Sequence, residues 1–179
     1  MHRQVPAIAA RLSLRPPQRR SLEILDRVVE IARPRKDADM ESALAVLKSE
    51  FPTVSSFERD FPSICFALAT GVGKTRLMGA FVSYLYFAHG FKNFFVLAPN
   101  LTIYNKLITD FSPNTRKYVF QGIGEFVTDP PPSSRETTTS KAEAFGVGSF
   151  SSPTSTSTSS TFPRSTPKSV AAKLHASNA

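Results

Sequence analysis

Residues 61–80 read FPSICFALATGVGKTRLMGA, and this stretch decides how the rest of the chain is understood. Ser63–Leu68 is an apolar run of strand length, suited to a sheet covered on both faces. Ala69-Thr70-Gly71-Val72-Gly73-Lys74-Thr75 follows, and a helical pattern continues from Arg76. Strand, Gly-x-Gly-Lys-Thr, helix is the order a triphosphate site needs. Glycines let backbone N–H groups close around phosphates, and the helix N-terminus adds partial positive charge. Lys74 would reach the outer phosphates, and the Thr75 hydroxyl would sit on Mg²⁺. The competing reading is a chance glycine loop. The strand before it and the helix after it weigh against that.

The general phosphate-loop motif begins with Gly, whereas this chain has Leu68 at that position. Ala-Thr-Gly-x-Gly-Lys-Thr resembles motif I of superfamily 2 helicases and translocases, whose first position is not restricted to Gly. The resemblance implies ATP as ligand, held by Thr70, Gly71, Val72, Gly73, Lys74 and Thr75.

Composition narrows the class without naming a partner. The chain has 179 residues, enough for one ordinary domain, and a net charge of +8, which suits a polyanion. Arg3, Arg11, Arg15, Arg19, Arg20, Arg33, Arg35 and Lys36 place much of that surplus before the glycine loop. Cys65 is the single cysteine, so a disulfide framework and a cysteine metal site are both excluded. It reads as a small buried hydrophobe in a strand. No secretory leader and no apolar run of about 20 residues is present, so a soluble cytoplasmic protein away from membranes is expected.

Taken in order, Met1–Ser13 is basic and weakly periodic, and a flexible end over 1–13 is expected. Pro16-Pro17 opens a helix in which Leu22, Leu25, Val28, Val29 and Ala32 recur at helical spacing, stopped by Pro34. Alone this is an amphipathic helix. Ahead of a helicase-like loop, Arg-Pro-x-Gln resembles the upstream element whose Gln reads the adenine edge, here Gln18. A side-chain amide can both donate to and accept from that edge. A solvated Gln at a helix start is the alternative. Asp39–Glu50 reads as a capped helix, Lys74–His89 as a helix closed by Gly90, and Asn93–Ala98 as a second buried strand. The aromatic residues of the Lys74–His89 helix are expected to pack on the sheet. Leu101–Phe111 reads as a helix and Lys117–Phe120 as a third short strand. A strand followed by Ala-Pro-Asn-x-Thr resembles motif Ia, which implies contacts of Pro99, Asn100 and Thr102 with a nucleic acid backbone. The bland alternative is a Pro-Asn turn with a Thr cap, and the two are compatible.

Together, LRPPQRRSLEIL, FALATGVGKTRLMGAF and NFFVLAPNLTIYNKLITDF resemble the start of the helicase subunit of type III restriction enzymes. The resemblance implies an α/β fold: a partial RecA-like lobe over 14–131, a parallel sheet flanked by helices. It further implies ATP with Mg²⁺, duplex DNA as track, and a methyltransferase modification subunit as partner. No DExx carboxylates follow the third expected strand, and no second-lobe arginine finger is present, a group worth roughly 10³–10⁵ in rate. The chain therefore reads as an N-terminal fragment that binds but does not drive a motor. Two other classes stay open: a different small P-loop enzyme such as a nucleotide kinase, and a non-enzymatic basic segment that binds nucleic acid.

From Ser133 the composition turns abruptly to Ser, Thr and Pro. At face value residues 132–179 are a disordered linker. A second reading is a shifted frame. Moving each codon back by one base turns Thr codons into those for Tyr, His, Asn or Asp, and most Ser codons into those for Phe, Leu, Ile or Val. The Ser155-Thr156-Ser157-Thr158 alternation then becomes the apolar–polar alternation of a strand.

Overall fold

The computed structural model describes residues 1–32, 39–136 and 143–147. In chain order these form α1 (Gln4–Arg11), α2 (Pro16–Ala32), α3 (Met40–Glu50), α4 (Lys74–His89), β1 (Phe94–Ala98), α5 (Leu101–Phe111), α6 (Gly124–Thr128), β2 (Ser133–Glu136) and β3 (Glu143–Val147). The helix starts and stops have local causes. Two prolines open α2, where a missing N–H costs no helical bond. The Asp39 carboxylate accepts from the Glu41 and Ser42 N–H groups, each at 3.1 Å, at the start of α3. Hydrogen bonding, led by the Ser42 hydroxyl, holds the Asp39 carboxyl below its usual range. Gly90, at φ +70°, ends α4 in the left-handed conformation that a side chain resists.

Helix α4 is the centre of the core, packed by α1 and α2. Its Leu77, Ala80 and Tyr84 are essentially inaccessible. Its aromatic residues pack on other rings. Phe81 meets Phe66 with centroids 5.0 Å apart, and Phe87 stacks on Phe126 of α6 at 5.1 Å. A Cβ added at Gly79 would lie 2.9 Å from that of Val119, so α4 and the 118–120 turn approach closely.

Where a flexible end is expected, the chain begins with α1. Val5, Ile8, Ala9 and Leu12 recur at helical spacing and are each 1% exposed. Arg11 pairs with Glu125 at 3.0 Å, and a side chain at Gly122 would collide with the Arg11 carbonyl. A buried polar seam fastens the same end. Asp26 accepts from the His2 N–H at 3.0 Å and from the Tyr84 hydroxyl at 2.6 Å. That hydroxyl also lies 2.8 Å from His89 Nε2. Because its one proton goes to Asp26, His89 Nε2 is the donor. Burial first, then Asp26, raises the Tyr84 hydroxyl well above its ordinary pKa. Burial and the nearby His2 lower that of His89, against the pull of Asp26.

The expected parallel sheet is not formed among the described residues. β1, β3 and β2 make a three-stranded antiparallel sheet in that order. Phe94 faces Val147 and Ala98 faces Glu143 across one pair, and Ser133 faces Val147 across the other. Of the three expected strands only 94–98 is one. Residues 63–68 form no strand and have a single isolated bridge at Ile64. Phe66 is buried there, whereas Cys65, expected inside, is exposed. Residues 117–120 form turns, with Tyr118, Val119 and Phe120 buried, and the Tyr118 hydroxyl donates to the Phe126 carbonyl at 3.0 Å. Tyr118, Val119 and Phe120 pack in the core, as does Phe66 with Ile64 and Leu68 partly buried beside it, and apolarity alone does not separate a strand from other packed segments. On β1, Val96 and Ala98 point inward, while Phe95 is 42% and Leu97 61% exposed. One face of this strand is therefore covered, where the sequence implied two.

β2 and the segment of β3 fall in the Ser/Thr-rich region from Ser133. The Ser155–Thr158 alternation, and the Pro34 stop with Arg33, Arg35 and Lys36, lie outside the described residues.

Candidate nucleotide-binding site

Gly71 and Gly73 have φ of +81° and +92°, so the loop between residues 63–68 and α4 is folded in the conformation that requires glycine. Alternation of left-handed with right-handed residues is the geometry from which backbone anion nests are built, and here the two left-handed glycines flank Val72, whose φ is not positive. Space beside Gly71 is open: a Cβ there would meet nothing within 4 Å. Gly73 is the opposite case, because a Cβ would lie 2.6 Å from Gln18 Nε2. Lys74 begins α4, and its Nζ donates to the Ala69 carbonyl at 3.2 Å, folding the ammonium back over the loop. Thr75 follows at the first turn, half-buried.

The α1–α2 elbow meets this loop directly. Gln18 is 2% exposed and its amide is used on both sides. Oε1 accepts from the Arg15 N–H at 2.8 Å, and Nε2 donates to the Gly73 carbonyl at 2.9 Å. Arg15 Nη1 donates to the Gly71 carbonyl at 3.4 Å. The two bonds to the glycine loop join residues more than fifty positions apart in sequence. Between elbow and loop lies a cavity of about 290 Å³, walled by Ser13, Arg15 and Gln18 on one side and by Gly71, Val72, Gly73 and Arg76 on the other.

Of the residues singled out in the sequence, Gln18, Gly71, Val72 and Gly73 therefore share one cavity, with Thr70, Lys74 and Thr75 adjoining it along the chain. The solvated reading of Gln18 does not hold, since the side chain is buried and bonded. Sequence reasoning missed Arg15 and Arg76, which add two guanidinium groups to the wall. Arg15 was within reach, being the first residue of the Arg-Pro-x-Gln element.

Pro99, Asn100 and Thr102 are placed elsewhere, exposed at the β1–α5 junction. Asn100 caps α5, its Oδ1 accepting from the Ile103 N–H at 2.9 Å. A helix cap is thus present, but Asn100 makes it where a Thr is expected, and Asn100 and Thr102 are both exposed. Among the described residues no group of acidic, His and Cys side chains is arranged to hold a metal ion, and no helix is long and apolar enough to cross a membrane.

The family model for the type III restriction enzyme, res subunit, matches residues 11–160. That span includes the elbow, the glycine loop, β1 and α5, and continues past Pro131 into the Ser/Thr-rich region. No curated protein and no solved structure matches the chain. A match over most of the 179 residues, together with a glycine loop bonded to an upstream Gln, settles the family: the chain belongs to the type III restriction enzyme res subunit family, a helicase-like region of restriction–modification systems.

Proposed function

We propose that this chain is the ATP-binding part of a DNA helicase or translocase, and that residues 14–131 carry that lobe with α1 packed into it. The observation that supports the reading is the Gln18–Gly73 hydrogen bond, which joins the Gln18 side-chain amide to the glycine loop. The residues present fit a magnesium nucleotide: an open loop at left-handed glycines, a flanking lysine and threonine, and a cavity lined by two arginines. Backbone N–H groups of Thr70, Gly71, Val72 and Gly73 would hold phosphate oxygens, and Lys74 would leave the Ala69 carbonyl to neutralise them. Thr75 would hold the Mg²⁺, whose role when bound is to neutralise charge between phosphates. Gln18 would present its remaining N–H and lone pair to adenine. Duplex DNA would run past Pro99, Asn100 and Thr102, with a methyltransferase subunit as cytoplasmic partner. Hydrolysis by this chain is expected to be negligible, because the DExx carboxylates that orient the attacking water are missing from its sequence.

Titration of a fluorescent ATP analogue tests the assignment. Lys74→Ala should weaken binding about tenfold or more, the loss of a charge-assisted contact worth ~1.5–3 kcal/mol. Equal binding by the variant and the unchanged chain would overturn the site.

A further inference from the structure

The elbow that carries Arg15 and Gln18 is held in place by a residue that no motif assigns. α1 ends in a tight reversal: the Ser13 N–H donates to the Ala10 carbonyl at 3.0 Å and the Leu14 N–H to the Ala9 carbonyl at 2.9 Å. This closure requires a left-handed residue, usually glycine, and here Ser13 takes it at φ +49°. The corner is therefore built on a residue that does not favour it and needs an outside hold. Arg76, in the first turn of α4, supplies one. Its Nη1 donates to the Leu12 carbonyl at 2.7 Å, across 64 positions of sequence. A bond to a carbonyl at the end of α1 satisfies an acceptor that the helix itself leaves free.

We propose that Arg76 is a positioning residue for base recognition: by holding the Leu12 carbonyl it keeps the elbow, and so Arg15 and Gln18, at the wall of the cavity. It thereby sets the preference of the site for adenine over guanine without acting on the phosphates. This rests on the nucleotide reading above. The chain of contacts is short and continuous. Arg76 fixes Leu12, Ser13 turns the corner, the Arg15 N–H fixes Gln18, and Gln18 fixes Gly73. Arg76 also borders the cavity, so a direct contact with the base is the alternative that the experiment must separate.

The test uses the full chain, with ATP, GTP and inorganic triphosphate as probes, and hydrogen exchange across residues 11–18. Arg76→Ala should lower the ATP-over-GTP preference by roughly two- to tenfold, the range of one lost hydrogen bond, and weaken triphosphate binding no more than it weakens GTP binding. Exchange in 11–18 should quicken without nucleotide. Arg76→Lys, which keeps one donor, should fall between. The deciding variant adds Ser13→Gly, which relaxes the corner: it should return much of the preference to Arg76→Ala. Failure of that rescue, with preference lost, would mean that Arg76 reads the base itself and would overturn the proposal. Unchanged exchange in Arg76→Ala would overturn it too. If the unchanged chain binds no nucleotide, the nucleotide reading falls together with the selectivity role, and exchange alone judges the clamp. Should Arg76→Ala fail to fold, Arg76→Gln carries the same comparisons.

Discussion

Replacing Gln18 by Glu alters one atom of the elbow–loop junction and gives a result with a distinctive pH signature. The side chain is 2% exposed, so whatever replaces it must be satisfied by the same neighbours. The variant keeps an acceptor for the Arg15 N–H, at 2.8 Å in the parent. It loses the donor that meets the Gly73 carbonyl at 2.9 Å, and an ionised carboxylate would set oxygen against oxygen there. Gly73 is not left bare, because its carbonyl also accepts from Leu77 N–H at 3.2 Å. The charged variant therefore loses a bond and faces a repulsion at a nearly fully buried position, about 3 kcal/mol or more in total. Protonation relieves it, since a neutral carboxyl can donate to Gly73. The carboxyl should accordingly have a folded-state pKa above its ordinary ~4.3. For a group raised in the folded state, stability is greatest below the unfolded pKa and is lost as pH rises through the folded one. Urea unfolding of both chains at pH 5 and pH 8 measures this. The deficit relative to the parent should be about 1 kcal/mol at the lower pH and about 3 at the higher. A deficit that is equal at both, or below ~0.5 kcal/mol, the range of ordinary surface substitutions, would show that Gln18 does not hold the loop.

Tyr84→Phe removes the hydroxyl that donates to buried Asp26 and should cost about 1.5–3 kcal/mol in urea unfolding, with a smaller effect once Asp26→Asn is present. His89 has a lowered pKa against an ordinary 6.5, so the stability it contributes is complete above that value and falls as pH drops toward its folded pKa. His89→Gln should flatten the stability profile of the chain over that window, and an unchanged profile would contradict the seam. Gly122→Ala would press a methyl into the Arg11 carbonyl, which is backbone and cannot swing aside. It should cost about 1–3 kcal/mol and open the chain to trypsin at Arg11, read by the rate of cleavage.

The elements that could be read from the sequence were those whose ends are chemically marked. Pro16-Pro17, Asp39 and Gly90 each fix a helix boundary through a local bond or dihedral, and the structure has those three helices where the signals sit; at α5 the cap was expected of a Thr and is made by Asn100. α1 carried the same apolar spacing in Val5, Ile8, Ala9 and Leu12, but its lack of a capping side chain made it look like a loose end. Strands were harder. Phe66 and residues 118–120 are buried against helices and neighbouring rings, and no local signal states which partner a stretch will take. At the site, the pairing of Gln18 with the glycine loop was legible because both motifs name their residues. Arg76 was not, because its partner is a main-chain carbonyl, which leaves no mark in the identity of Leu12.

The exposed thiol of Cys65 gives this molecule a built-in attachment point. It is the only cysteine and lies on the segment that leads into Gly71. A maleimide dye or spin label would therefore join at one place without prior mutagenesis. From there it would report, by a change in fluorescence or in label mobility, any rearrangement of the loop as a phosphate compound is added. Two such labels on separate chains would also reveal self-association through the bare face of β1, as dye–dye transfer that grows with concentration.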